Sequence, residues 1–148
     1  MKNKQQPIVS IFKASLGSTP LAVPAFLSGI QAGFPSPADD YVEKQLDLNE
    51  LIVKNQPATF FVRVEGDSMR DAGIRSGDIL VVDRSLTPVS GKIVVAIMNG
   101  EFTVKRIEMS VKGITLLPEN SSYPAIEVPP ESDFQVWGVV TYIIHKAQ

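Results

Sequence analysis

Two polar residues of this sequence have the types and order of a catalytic pair. Ser68 lies in Gly66-Asp67-Ser68-Met69 at the end of a strand-like run, and Lys105 follows thirty-seven residues later, straight after a predicted hairpin turn. A serine hydroxyl becomes a nucleophile when a base removes its proton, and lysine is such a base when its amine is neutral. The pair therefore predicts a serine nucleophile with a lysine general base.

Each of the two residues also has an ordinary structural interpretation. Ser68 alone would be a turn residue or a helix N-cap, and Lys105 alone would be a solvated strand lysine. With its usual pKa of ~10.4, on the order of one lysine in a thousand is neutral near pH 7. Burial in apolar surroundings lowers a lysine pKa. A catalytic role for Lys105 therefore requires that its side chain be buried.

The hairpin turn before Lys105 predicts such surroundings. Asn99-Gly100 is the strongest turn signal in the chain, because a type I′ hairpin needs positive φ at both central residues. Counting back from this turn places Lys105 opposite Val94, with Thr103 and Ile107 on its own face of the strand. We therefore expect Lys105 to point to a face with few charges.

The composition offers no competing site. Without cysteine there is no thiol nucleophile or thiolate metal site, and the single histidine, His145, is too isolated to suggest a triad. We predict neither a metal nor a cofactor.

A chain of 148 residues with 44% hydrophobic and 20% charged residues is typical of one soluble domain. The lack of cysteine fits a reducing compartment, and we expect a cytoplasmic location.

Charge is distributed unevenly along the chain. Residues 1–38 carry three lysines and no acid, whereas residues 39–148 carry sixteen acids against eleven bases. A phosphate-binding surface normally has clustered Lys and Arg. We therefore expect no direct sequence-specific DNA binding, and a role at nucleic acid would run through a partner protein.

Residues 1–38 are predicted to form a flexible, extended N-terminal arm, since they contain five prolines and no sustained period. Within them, the apolar stretch from Leu21 to Ile30, followed by Ala32-Gly33, superficially resembles a signal peptide. Pro24 and Gly29 interrupt the stretch, and it is shorter than the ~20 residues of a membrane span. We therefore expect neither export nor membrane insertion.

Residues 39–148 are predicted to form one compact, mainly β domain of about six to seven strands. A short helical piece is predicted between Asp39 and Ile52, with Asp47 as its N-cap. After it, apolar runs alternate with turn residues, and no βαβ pattern or internal repeat is present. The strand-like runs cover residues 60–65, 79–82, 92–98, 101–108, 114–117 and 134–144.

Several short motifs together resemble the LexA/UmuD family of self-cleaving serine-lysine peptidases, and the resemblance covers nearly all of residues 32–145. Each motif alone is unspecific, but the combination is highly specific. The matching stretches are Ala32-Gly33-Phe34-Pro35-Ser36-Pro37-Ala38, Asp40-Tyr41-Val42-Glu43, Gly66-Asp67-Ser68-Met69, Gly77-Asp78 with Val82-Asp83, Gly100-Glu101-Phe102-Thr103-Val104-Lys105, and Gly138-Val139-Val140.

The resemblance implies a β-rich peptidase domain whose substrate is the protein's own arm. By position, Ser68 is the nucleophile, Lys105 the general base and Ala32-Gly33 the scissile bond. The backbone N–H groups of Asp67 and Ser68 are expected to stabilise the oxyanion. Both residues of the bond are small, so the backbone can approach a nucleophile with little hindrance.

The resemblance also implies partners. Cleavage in the family is stimulated by the RecA filament on single-stranded DNA during the SOS response. The product, residues 33–148, would form a homodimer and join a Y-family (UmuC-like) polymerase in error-prone translesion synthesis. The alternative is a catalytically inactive interaction module that regulates a polymerase or repressor. A LexA-like repressor is disfavoured, since thirty-two residues before the scissile bond are too few for a helix-turn-helix domain.

Overall fold

The computed structural model describes residues 8–13, 22–26, 32–33 and 43–148. The motif predictions for residues 34–42 lie outside the described residues, as does the apolar stretch beyond residue 26. The boundary predicted between residues 38 and 39 stays a prediction. In the described part of the chain, no helix is long and apolar enough to cross a membrane.

The described residues form two antiparallel sheets and little helix, and the predicted mainly β fold is confirmed. The larger sheet has the strand order β1-β4-β5-β10-β6-β7-β8-β9, and β2 pairs separately with β3. The strands are β1 (Ile8–Lys13), β2 (Ala22–Phe26), β3 (Glu43–Asp47), β4 (Thr59–Val64), β5 (Ile79–Asp83), β6 (Ile93–Met98), β7 (Glu101–Ser110), β8 (Gly113–Leu117), β9 (Ile126–Glu127) and β10 (Phe134–Ile144). The helices are α1 (Leu48–Ile52) and two single-turn 3₁₀ helices, Gln56–Ala58 and Arg70–Ala72.

The short helical piece predicted between Asp39 and Ile52 is confirmed, together with its N-cap. Asp47 is the N-cap of α1, and its side chain accepts a hydrogen bond of 2.9 Å from the Asn49 N–H. The sequence did not indicate the strand that precedes the helix, since Glu43–Asp47 forms β3. The backbone of β3 pairs with β2, and this tertiary pairing overrides the local pattern.

The hairpin between β6 and β7 follows the sequence prediction. Asn99 and Gly100 have φ values of 52° and 81°, both in the left-handed region that the turn requires. The resulting register pairs Val94 with Lys105. The predicted position of Lys105 is confirmed.

Two groups of buried apolar side chains form the core. One group flanks the turn that carries Ser68, and the other flanks Lys105. The first comprises Val62, Val64, Met69, Ile74, Leu80, Val82, Val95 and Val104. The second comprises Val94, Ala96, Ile107, Leu116 and Val139. Both catalytic candidates are therefore attached to rigid, well-packed parts of the domain.

Strand β10 joins the two halves of the larger sheet. It lies between β5 and β6, and Val139 pairs with Asp83 on one side and Val94 on the other. The register with β6 shifts between Val136 and Gly138, where β10 approaches β5 closely. A Cβ at Gly138 would lie 2.5 Å from Cγ1 of Val82, so only glycine fits without a shift of neighbouring atoms.

Candidate active site

Ser68 lies in a tight turn between β4 and the 3₁₀ helix Arg70–Ala72. Gly66 has a φ of 96°, which glycine adopts at no steric cost and which reverses the chain after the strand. Met69 is fully buried in the first core group and fixes the turn to the domain. The helix N-cap is Met69, which makes no side-chain capping bond, so the interpretation of Ser68 as a cap does not apply.

Lys105 points from β7 into the interior and reaches the nucleophile candidate. Its Nζ lies 3.2 Å from Ser68 Oγ, and its side chain is almost completely buried, as is Ser68. It also donates to Thr103 Oγ1 at 3.1 Å and to the Val104 carbonyl at 3.2 Å. Three acceptors thus match the three N–H bonds of an ammonium group. The alternative of a solvated strand lysine does not apply.

Burial lowers the pKa of Lys105 from 10.5 to about 8, because the charged ammonium loses its hydration. At pH 7.4 about one Lys105 side chain in five is then neutral, against on the order of one in a thousand for an exposed lysine. A neutral amine beside a hydroxyl can take its proton. The buried contact therefore has the geometry and the proton affinity of a serine nucleophile with its base.

The turn that carries Ser68 is held by a loop of residues 119–123, which the sequence patterns did not indicate. Asn120 Nδ2 donates to the Asp67 carbonyl at 2.8 Å, and the Glu119 N–H donates to the Ser68 carbonyl at 2.8 Å. The Tyr123 hydroxyl donates to Asp67 Oδ1 at 2.6 Å, and this bond raises the pKa of Tyr123. In the sequence, this loop is only a run of polar residues between two strands. Its partners, Asp67 and Ser68, lie more than fifty positions away, so the pattern gives no sign of these contacts.

The same loop is tied to the strand that carries the base. Arg106 follows Lys105 and donates through Nε to Glu119 Oε1. Its Nη1 donates to the Gly91 carbonyl at 2.6 Å. Arg106 also pairs across the hairpin with Leu117. The hairpin β7–β8 thus supplies the base from its first strand and leads from its second into the loop that holds the nucleophile turn.

The structure brings Ser68 and Lys105 together but does not place the predicted scissile bond in the buried site. Ala32 and Gly33 are both exposed. Their role as a cleavage site remains a prediction. His145 lies elsewhere, where its Nδ1 contacts Asp78 Oδ1 at 2.7 Å.

A serine hydroxyl beside a buried lysine amine, in a turn on an antiparallel sheet, has the geometry expected of a serine hydrolase that uses lysine as base. Comparison with protein families agrees with this class. The family described as peptidase S24-like matches residues 24–141. The chain belongs to this family, which confirms the LexA/UmuD membership predicted from the sequence.

Individual relatives cover most of the chain. Protein SamA of Salmonella typhimurium is 50% identical over 125 residues, which are 84% of this chain and 86% of SamA. Protein MucA of Escherichia coli is 45% identical over 135 residues, 90% of this chain and 92% of MucA. The LexA repressor of Delftia acidovorans is 37% identical over 128 residues, 86% of this chain but only 56% of the repressor.

Proposed function

We propose that the protein is an autocatalytic serine endopeptidase that cleaves its own N-terminal arm. The observation that carries the proposal is the buried contact of 3.2 Å between Lys105 Nζ and Ser68 Oγ. A buried lysine without a carboxylate partner is costly to a fold. A catalytic need for a neutral amine accounts for that cost.

The reaction proceeds in two stages. Neutral Lys105 takes the Ser68 hydroxyl proton as Oγ attacks the carbonyl carbon of Ala32, and the resulting oxyanion faces the backbone N–H groups of Asp67 and Ser68. The tetrahedral intermediate collapses as the C–N bond breaks, and Lys105 delivers its proton to the Gly33 amine. Water, deprotonated by Lys105, then attacks the Ala32–Ser68 ester. Ser68 recovers its proton, and residues 1–32 leave with a free carboxylate.

Ala32-Gly33 suits this role for two reasons. Both residues are small and exposed, so the backbone at this bond is accessible. Of the about thirty-five residues from Gly33 to Ser68, those from Glu43 onward include β3, α1 and β4, and the nine residues between Gly33 and β3 span at most on the order of 30 Å when extended. Tethering replaces a bimolecular encounter and raises the effective substrate concentration.

Burial of Ser68 and Lys105 leaves a step that an activator can promote. Ser68 has no exposed surface, whereas a nucleophile must meet a peptide and later a water molecule. The peptide must therefore reach a serine that is closed to solvent in this structure. In this proposal the RecA filament on single-stranded DNA favours the state in which the arm enters the site.

The cellular role we propose is SOS mutagenesis in the cytoplasm. Residues 33–148 form a homodimer after cleavage and act as a subunit of an error-prone Y-family (UmuC-like) polymerase. The relatives support this role over that of a repressor. The match covers 86% of SamA and 92% of MucA but 56% of the LexA repressor.

The test follows the intact mass of the purified full chain at about pH 7.5 and about pH 10, where Lys105 is largely neutral. We expect loss of residues 1–32, faster at the higher pH and accelerated at the lower pH by a RecA filament on single-stranded DNA. Ser68→Ala and Lys105→Ala should stop cleavage, while Lys112→Ala, at an exposed lysine, should not. Absence of cleavage in all these conditions would favour the inactive interaction module.

A further inference from the structure

Two consecutive carbonyl groups of the nucleophile turn are held by two consecutive residues of the 119–123 loop. The Asp67 carbonyl accepts from Asn120 Nδ2, and the Ser68 carbonyl accepts from the Glu119 N–H, each at 2.8 Å. Asn120 is 5% exposed, and it is among the few buried polar side chains of the described residues. Its Oδ1 accepts from the Ser122 N–H at 3.0 Å, so both ends of the amide are used.

The hydrogen bond from Asn120 to the Asp67 carbonyl also affects the orientation of the Ser68 N–H. The C=O of Asp67 and the N–H of Ser68 belong to one peptide plane, and no described peptide bond is cis. In a planar trans peptide these two groups point in opposite directions. The Arg70 N–H also donates to this carbonyl, at 3.1 Å, from within the turn, and Asn120 supplies the shorter bond from outside it. Donors that hold the carbonyl on one side set the direction of the Ser68 N–H on the other.

We propose that Asn120 is a positioning residue for cleavage, because it orients the Asp67–Ser68 peptide so that the Ser68 N–H faces the developing oxyanion. The inference rests on the proposed peptidase function and deepens it. In the described part of the chain, the side-chain hydrogen bonds of Asn120 go to Asp67 and Ser122 and not to Lys105, so it acts through the turn. Oxyanion donors are effective when they are oriented before the reaction, since no reorganisation is then needed as charge develops.

The polarity of the contact makes the proposal testable with a nearly isosteric change. Asn120→Asp keeps an acceptor for the Ser122 N–H but turns the donor facing Asp67 into an acceptor. Two oxygens then repel one another, and the peptide rotates. Tyr123→Phe is the matched control, since it removes a bond from the same loop to the same residue, Asp67, at the side chain and not at the backbone carbonyl.

The experiment measures the rate of self-cleavage as a function of pH for the full chain and its variants, together with the thermal unfolding midpoint. For Asn120→Asp we expect the plateau rate at high pH to fall about 10- to 100-fold, a fraction of what loss of a whole oxyanion donor costs. The carboxylate of Asn120→Asp should also raise the pKa of Lys105, so the midpoint of the pH profile is compared in the uncharged variant Asn120→Ala, where it should stay near that of the unmodified chain. Tyr123→Phe should retain a rate within about threefold.

Asn120→Ala is measured together with Asn120→Asp, because the alanine variant loses the same donor without burying a charge. A lowered plateau in both folded Asn120 variants, with an unchanged pH midpoint in Asn120→Ala, supports the positioning role. Equal losses in Asn120→Ala and Tyr123→Phe, a shifted midpoint in Asn120→Ala, or rates equal to that of the unmodified chain would overturn it. If the unmodified chain itself does not cleave, the proposed function has failed, and this result is distinct from a failure of the Asn120 inference alone.

Discussion

Removing the amine of Lys105 should stabilise the domain at neutral pH while it abolishes cleavage. In the folded protein the pKa of Lys105 is about 8, whereas its ordinary value is 10.5. Below pH 8 Lys105 is therefore an ammonium in both states, but this ammonium is buried in the folded chain and hydrated in the unfolded chain. This difference lowers the free energy of unfolding. Lys105→Met keeps a long, unbranched side chain and removes the charge.

The magnitude and the sign follow from proton linkage. A difference of 2.5 pKa units corresponds to about 3 kcal/mol. The penalty is fully present below pH 8, where both states are protonated. It is relieved as pH rises from 8 to 10.5, because the unfolded state then binds more protons than the folded one. The advantage of Lys105→Met should therefore shrink by about 3 kcal/mol between about pH 7 and pH 10.5.

The assay is urea unfolding across this pH range, with Ser68→Ala in both proteins to prevent self-cleavage. Loss of the lysine hydrogen bonds also affects Lys105→Met. The part of that cost that changes with protonation is contained in the pKa difference, so the change of the stability difference with pH is the relevant quantity. Lys112→Met at an exposed hairpin position is the control and should show no such change. A stability difference that stays constant from pH 7 to 10.5, or that widens, would refute the reasoning.

Two further predictions concern the site and the sheet. Thr103→Val removes an acceptor that stabilises the ammonium of Lys105, so the pKa of Lys105 should fall further. The midpoint of the cleavage–pH profile should then move below about 8, and an unchanged or higher midpoint would contradict this. Gly138→Ala places a Cβ 2.5 Å from Val82 Cγ1 and should lower the free energy of unfolding by about 1–3 kcal/mol. Val82→Ala in the same chain should recover part of that loss in denaturant titrations, whereas strictly additive losses would argue against the clash.

The part of the site that depends on local turn chemistry could be predicted from the sequence. Asn99-Gly100 favours a type I′ two-residue hairpin, and that hairpin fixes the pairing of β6 with the first six residues of β7, Glu101 to Arg106. Since strand side chains alternate between faces, the register alone directs Lys105 inward. The burial that lowers its pKa was then expected from its neighbours Val94 and Ile107.

The loop that holds the nucleophile turn could not be predicted in this way. Asn120 and Tyr123 contact Asp67 across more than fifty residues, and such contacts leave no period in the sequence. Polar residues between strands are the usual composition of a solvated loop. The strand β3 was also missed, because its partner β2 lies in a proline-containing segment whose pairing no local pattern indicates.

The position of β10 in the sheet also determines when a newly synthesised chain can bring Ser68 and Lys105 together. Strands β4 and β5 flank the segment with Ser68, and β7, paired with β6, carries Lys105. The sheet joins these halves through β10, which follows all of these strands in the chain. Both catalytic residues leave the ribosome before Phe134, the first residue of β10. A growing chain thus holds nucleophile and base without the strand that aligns them. For the proposed peptidase, we therefore expect no cleavage of the arm before β10 has been synthesised.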